Sequence, residues 1–456
     1  MIGGMMKTTS LLALAATASL FATSVNAADL GGNCCADLEE RIAELEATTA
    51  RKGNRKVSLE VSGWVHSGVM WFDGASGNTT VGALATKESN TYWGINRPES
   101  NSRFRFVGKA AISPKMNAGY LIEIQVNTSN SDSFTTRDDD GGTGANQLAV
   151  RHSAWWIEHK DYGKVWVGQT SQSTDGITEI QLSNTGHFAN QNTTAGSVLN
   201  TFFPVAGPFG FTGFQLRNFM GGSSTDSSQI GEGNRRNLVR YDSPTLHGFM
   251  VSASIGEDDF WDVALRYAGE HHGFKVAFGI GYESTSDGPR SAGAGSERNC
   301  FGVLVASNDT ECQQLGLSGS IMHMSSGLFV NGYYGWRQDD KVVVIPVLGI
   351  DDTSTRWGIM AGIEKNFFGM GKTTFYGEYA QWDIGFTPQF NLVNPFIAVG
   401  SEMTMWGLGV NQNIEAAAMD LYIQYRNYDP TVISPVFGKI GMENISMIMA
   451  GGKINF

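Results

Sequence analysis

Arg103, Arg105 and Lys109 stand in the stretch SRFRFVGKAAI at even spacings, with Phe104, Phe106 and Ala110 at the alternate positions. Side chains alternate across a β-strand, so this spacing puts three cations on one face and apolar groups on the other. A row of fixed cations along a wetted wall forms and breaks no covalent bond; its chemistry is to sort ions and polar solutes by charge. Arg240 in NLVRYD and Arg266 in WDVALRYA also fall on polar faces, and Arg151 stands beside His152 in VRHSAWWIE. If such strands lie in lipid, turning an arginine outward near the midplane costs about 2–4 kcal/mol, so an inward orientation is expected.

Signatures of a reaction are thin. GMGKTT at 369–374 resembles part of a phosphate-binding loop, but Asn366 stands where that pattern needs glycine, and FYGEYA continues as a strand rather than a helix. His271 and His272 fall in a short turn with no third ligand near them in sequence. No serine or cysteine hydrolase motif occurs. Neither enzyme activity nor a cofactor is therefore expected. Acid clusters at 137–142 (RDDDGG), 257–259 (EDD) and 351–352 (DD) offer carboxylate oxygens that suit structural calcium or the bridging of lipopolysaccharide, though none has the spacing of a defined site.

The elements that would position these side chains are legible in composition and period. The 456 residues hold 57 glycines, 11% aromatic residues and only 17% charged ones, which suggests tight turns and crowded strands. The formal net charge of −12 argues against nucleic acid as a partner. Residues 1–27 place one lysine before an apolar stretch that ends in Val25-Asn26-Ala27, the pattern of a secretory signal peptide. The rival, an anchor helix, needs a longer apolar run, and no later stretch is long enough to cross a bilayer as a helix. Residues 28–56 follow as a short coiled-coil-like prefix and linker: Leu38, Ile42, Leu45 and Thr49 form a seam, and a basic RKGNRK precedes the strands. That seam suits a small oligomer clasp or a solvated helix equally. Cys300 and Cys312 are expected to close a loop by a disulfide in an oxidising compartment. Adjacent Cys34 and Cys35 disfavour a bond to each other and leave links to other subunits open.

From Val57 onward the period is two. Sixteen alternating stretches run from 57–71 to 442–456; every second connection is short, and the others are mostly long and polar, the longest from Ser171 to Asn234. An even strand number with this rhythm is the form of an all-β, antiparallel transmembrane barrel of sixteen strands over 57–456. A soluble sandwich or propeller also alternates, but nothing in such folds calls for the long-short rhythm.

The passages KVSLEVSGWVHSGVMWFD, SRFRFVGKAAI, VRHSAWWIE, GKVWVGQTS, NLVRYDSPTLHGF and LYIQYRNYD, with the terminal Phe456, make the chain resemble the general bacterial porins, and more closely those of alphaproteobacteria. The resemblance implies a homotrimer of barrels in a Gram-negative outer membrane, in contact with lipid and lipopolysaccharide. It also implies a pore narrowed by an inward-folded third loop, about 171–234 here, with acids facing wall arginines. Asp175 and Glu179 would be those acids, with Asp226 and Glu232 further on; Arg103, Arg105, Lys109, Arg240 and Arg266 would face them. Phe456 would be read by the machinery that inserts barrels, pointing outward while Lys453 and Asn455 face the lumen. The expected function is passive diffusion of small hydrophilic solutes and ions. The rivals are a substrate-selective channel, which a lumen track richer than Trp64, Phe72 and Phe329 would favour, and a barrel that tethers envelope layers through its prefix. The acidic balance favours cations only weakly, because outer loops carry much of it and the narrowest section decides.

Overall fold

The computed structural model describes residues 57–76, 87–95, 101–126, 148–189, 216–220, 229–257, 259–286, 297–298, 304–305, 311–340, 344, 351–385 and 399–456. The expected signal peptide and coiled-coil-like prefix, Cys34, Cys35, Cys300, Asp226 and the acid run at 137–142 lie outside these residues.

Sixteen strands form the barrel. They are β1 (Ser58–Ser76), β2 (Arg103–Ser113), β3 (Met116–Val126), β4 (Leu148–His159), β5 (Gly163–Ser171), β6 (Arg235–Asp242), β7 (Phe249–Gly256) and β8 (Trp261–His271). The second half is β9 (Phe274–Thr285), β10 (Cys312–His323), β11 (Leu328–Asp339), β12 (Thr353–Lys365), β13 (Thr373–Ile384), β14 (Gly400–Ile414), β15 (Met419–Ser434) and β16 (Ile445–Asn455). Each pairs antiparallel with its sequence neighbour, and β1 closes the ring on β16, with Trp64 opposite Asn455 and Asp73 opposite Ser446. Closure leaves no free sheet edge, which a lipid-embedded sheet cannot afford.

β1 runs further than its alternation suggests. Beyond Gly68 it pairs with an extra strand, Lys87–Ile95, across two register shifts, and Phe72 stacks on Tyr92 at 5.2 Å between centroids. A second addition, Gly438–Gly441, lengthens β15 at the same end. Both hairpins extend the wall on the long-loop side, where turns are not held to the bilayer's thickness.

The short connections are made by local chemistry. His247-Gly248 and His272-Gly273 take left-handed angles (φ 50° and 88°, then 49° and 86°), the two-residue turn whose twist matches that of paired strands. The run GMGKTT opens as a turn in which Gly369 N donates to Asn366 Oδ1 at 2.7 Å, and its threonines begin β13.

Apolar side chains such as Val263, Ile280, Ile321, Ile359 and Leu408 are exposed on the outer wall. They form the band that lipid covers. Outward aromatics bracket it: Trp261, Trp357 and Trp406 toward the long-loop end, Tyr241, Phe249 and Phe375 toward the short-turn end, as aromatic girdles do at bilayer interfaces. Phe456 is 63% exposed at the short-turn end, and its backbone exchanges hydrogen bonds of 3.0 and 3.1 Å with Gly63. Lys453 pairs with inward His66, and its Nζ lies 4.3 Å from the Trp64 ring centroid. Among the described residues no helix is long and apolar enough to cross a membrane, which says nothing of crossing by strands.

Candidate functional site

The lumen is not empty. After β5 the third loop turns inward, and its first limb, residues 172–189, runs across the barrel along a line of inward polar groups. Ser173 N donates to Ser254 Oγ of β7 (2.9 Å), and Thr174 N to Asp262 Oδ2 of β8 (2.7 Å). Ile180 N and Leu182 N donate to Ser318 and Ser320 Oγ of β10 (3.1 and 3.0 Å). Asn331 of β11 donates to Ser183 Oγ (3.0 Å), and Asn184 N donates to Glu364 Oε2 of β12 (2.6 Å). Asn184 also accepts from Asn411 of β14 and donates to Asp420 of β15, both at 2.8 Å. A loop taken out of water must satisfy its backbone somewhere, and here the wall supplies the partners. Each bond contributes about 0.5–1.5 kcal/mol net.

At the far end Phe188 stacks on Tyr422 (4.3 Å, 13°), and His187 packs edge-on to His66 and Tyr422. Leu216, Phe219 and Met220 of the same loop join Tyr376, Met360, Met403 and Met405 in a buried apolar cluster. The returning limb, 229–234, lies against β10 and β11. A Cβ on Gly316 would collide with the Gly231 carbonyl, and one on Gly335 with that of Ile230; glycine at these two wall positions lets backbone meet backbone.

The cations expected from sequence separate into three groups. Arg103 and Arg105 point inward and share Glu123 of β3: Arg103 Nη1 donates to Oε1 (2.8 Å), and Arg105 Nε to Oε2 (2.8 Å), with a second Arg105 contact from Nη2. Arg151 joins them, Nε to Glu123 Oε1 at 2.9 Å. The Glu123 side chain is fully buried, and Arg105 is the most exposed of its partners at 39%. Arg103 also lies 4.4 Å over the Trp64 ring. Arg240 and Arg266 instead grip the start of the third loop, donating to the carbonyls of Ser171 (2.6 Å) and Asp175 (2.9 Å). Lys109 shares the arginines' face but is exposed, six residues along β2 and opposite Gly119 near the short turn; the structure does not bring it to the cluster.

Of the loop acids, Asp175 lies 3.8 Å from Arg235 Nη1. Glu179 is half-buried and acts through its charge on Glu232 and Arg356. Glu232 is buried; its Oε2 accepts from Thr178 N at 2.9 Å and from the Thr178 hydroxyl. Burial, reinforced by the charge of Glu179, pushes the Glu232 carboxyl up to about 8.

Sequence reasoning missed Glu123 and Arg356 and left Arg151 open. Glu123 is the one charge in GYLIEIQV, so an inward orientation was readable; that it gathers three arginines follows only from register. Arg151 needs a bulge. Glu123 pairs with His152 and Ile124 with Val150, so Arg151 is the extra residue and shares the inward side with His152. Two polar residues in succession within an alternating strand were its signal. The lumen also holds Trp156 and Trp166, buried near the short-turn end, with Lys164 Nζ 4.1 and 3.8 Å from their ring centroids.

Three of the acids proposed for calcium have ordinary hydrogen-bond donors. Glu257 accepts from Asn237, Asp351 from Thr353 and Asp352 from Gln338. No three ligating side chains converge among the described residues. Cys312, the first residue of β10, is disulfide-bonded.

A closed barrel with a loop laid across its lumen against a charged wall invites comparison with known channels. The family model for Gram-negative porins matches residues 11–431. A search of curated proteins returns no match. Among solved structures the chain is similar to the anion-selective porin from Comamonas acidovorans, at 15% identity and a TM-score of 0.49, covering 88% of this chain and 100% of that one. It is similar as well to the outer membrane channel DcaP of Acinetobacter baumannii and to in-vitro folded OmpT, an outer membrane protein of Vibrio cholerae. Each shows 10% identity and a TM-score of 0.49, over 89% of this chain and 99% of the other. The match over most of its length places this chain in the Gram-negative porin family, as a β-barrel porin of the outer membrane.

Proposed function

We propose that the barrel is a passive diffusion pore for small hydrophilic solutes and ions, with a mild preference for anions at its narrow section. Family membership supports a channel rather than an enzyme. The observation that carries the reading is the wall opposite the loop, where three arginines gather on the single carboxylate of Glu123. Asp175, Glu283 and Asp242 each have an arginine partner, Arg235, Arg236 and Arg240, and the Glu123 cluster itself carries three guanidiniums against one carboxylate. Charge at the constriction outweighs the acidic balance of the whole chain in setting ion preference. The working form in this reading is a homotrimer seated among lipid and lipopolysaccharide, exported by residues 1–27, without a cofactor, and with Cys312 bonded to Cys300.

The test is single-channel recording from purified protein in a planar bilayer, with a potassium chloride gradient to read the reversal potential. Current steps in threes with a reversal potential on the anion side are expected. A cation-side potential would overturn the role given to the arginines. Silence from a folded, heat-modifiable barrel would sink the pore itself and favour the envelope tether. Trp156 and Trp166 on the lumen wall favour a second reading, a substrate-selective channel; solute flux that saturates at low concentration would establish it.

A further inference from the structure

Among the described residues, the one that binds the third loop at most points stands outside the cluster already described. Arg356 lies on β12, fully buried and facing inward. Its Nε donates to the Ile230 carbonyl at 2.8 Å and its Nη1 to Gln229 Oε1 at 3.2 Å, both on the returning limb. Its Nη2 donates to the Thr178 hydroxyl on the outgoing limb at 2.6 Å and lies 3.9 Å from Glu232 Oε2. The guanidinium centre sits 5.2 Å from the ring centroid of Tyr333 on β11. Thr178 and Glu232 are 54 positions apart in sequence, yet the Thr178 backbone and hydroxyl both donate to the Glu232 carboxyl. One side chain therefore meets both limbs of the loop and the wall at once.

We infer that Arg356 is the positioning residue of the constriction: by tying the two limbs of the third loop to each other and to β12, it fixes how far the loop stands into the lumen. This rests on the reading of the chain as a diffusion pore and adds what sets its width. A planar fork of five fixed donors reaches acceptors on two chain segments at once; an ammonium has three donors on a flexible stem and no such plane. A buried guanidinium is unfavourable unless its partners satisfy its donors. An apolar side chain of similar volume would fill the space without that cost, so the charge is retained for the bonds it directs. The wall has room for the limb because Gly316 and Gly335 carry no side chain, and Gly231 N completes the seat by donating to Gln314 Oε1 at 3.0 Å. With Arg356 gone, the outgoing limb keeps its links to β7, β8, β10, β11, β12, β14 and β15, and the returning limb keeps Gln314, the Thr178 bonds to Glu232 and the backbone bonds of Gly233 N to Thr174 and Gln172 N to Asn234 (3.3 and 3.0 Å); what it loses is the β12 donor pair on Gln229 and Ile230.

The experiment compares wild-type protein with Arg356→Met, which keeps an unbranched apolar stem and removes every donor, and with Arg356→Lys. Lys365→Gln, an exposed charge at the end of the same strand, is the control. Single-channel conductance and the entry limit for a series of neutral polyethylene glycols are read on barrels that pass the heat-modifiability check. Arg356→Met is expected to raise conductance roughly twofold, since the narrowest section dominates the resistance, and to admit larger polymers. Arg356→Lys should fall between, and Lys365→Gln should match wild type. A folded Arg356→Met barrel with wild-type conductance and entry limit overturns the proposal. Should that variant fail to fold, Thr178→Val removes the hydroxyl that Arg356 and Glu232 share, without a buried charge change, and an unaltered entry limit there overturns it equally. A silent wild-type barrel would instead defeat the underlying pore reading, and the proposal with it.

Discussion

Glu123 shows how a single residue divides selectivity from stability. It is the only acid within ion-pairing distance of Arg103, Arg105 and Arg151 among the described residues, so Glu123→Gln leaves three guanidiniums repelling one another. Removing one partner of a buried ionic group costs about 3–5 kcal/mol, and the same change makes the wall more positive. Lower stability to denaturant together with a reversal potential shifted further toward anions is expected; an unmoved potential would mean that the cluster lies away from the narrow section. Arg103 and Arg105 were readable as an inward pair because their spacing is two. Arg151 was not, because a bulge breaks the parity on which that reading depends.

At the scale of the element, the third loop is held by groups whose proton affinities shift in opposite directions. Glu232 faces Thr178, Glu179, Asp175 and Arg356, and it sits near 8 when docked against an ordinary value of 4.5. The docked loop therefore binds that proton more tightly than a freed loop, and docking weakens as pH rises from 4.5 through 8. His187 faces His66 of β1, Asn411 of β14, Tyr422 of β15 and Lys453 of β16; burial, helped by the Lys453 charge, holds its imidazole down at about 3 against 6.5. Docking at that end weakens as pH falls from 6.5 toward 3. The two slopes cancel between 4.5 and 6.5, so single-channel noise is expected to be lowest there and to grow on either side. Glu232→Gln should remove the alkaline arm of this profile and His187→Gln the acid arm; a flat wild-type profile would show that neither group is linked to loop movement. The loop's position in the chain was legible from its length, but its route was not, since that depends on which wall residues present donors and acceptors at matching height.

For the whole molecule, the lipid-facing band sets what substitutions the barrel tolerates. Ile280 lies on the outer wall in the middle of β9 and is 42% exposed in the isolated chain. Ile280→Arg should cost about 2–4 kcal/mol of folding into a bilayer, read as a shift in a urea titration with lipid present. A neutral result would place Ile280 away from the hydrocarbon midplane. The alternation that predicts this cost is the feature that made sixteen strands countable without coordinates.

The sequence by itself determined the strand number, the inward and outward faces and the position of the longest loop, because each follows from a period of two and from turn chemistry that acts over a few residues. It also indicated that Arg103, Arg105, Arg240 and Arg266 face inward. Tertiary structure decided what those arginines do there. Arg103 and Arg105 meet Glu123 because β2 and β3 pair in one register, while Arg240 and Arg266 hold loop carbonyls. Arg356 joins segments 54 positions apart, a relation that only closure of the barrel and the inward fold of the loop can create. Local patterns encode direction; which groups meet across a lumen is set by register and closure, and these belong to the whole ring.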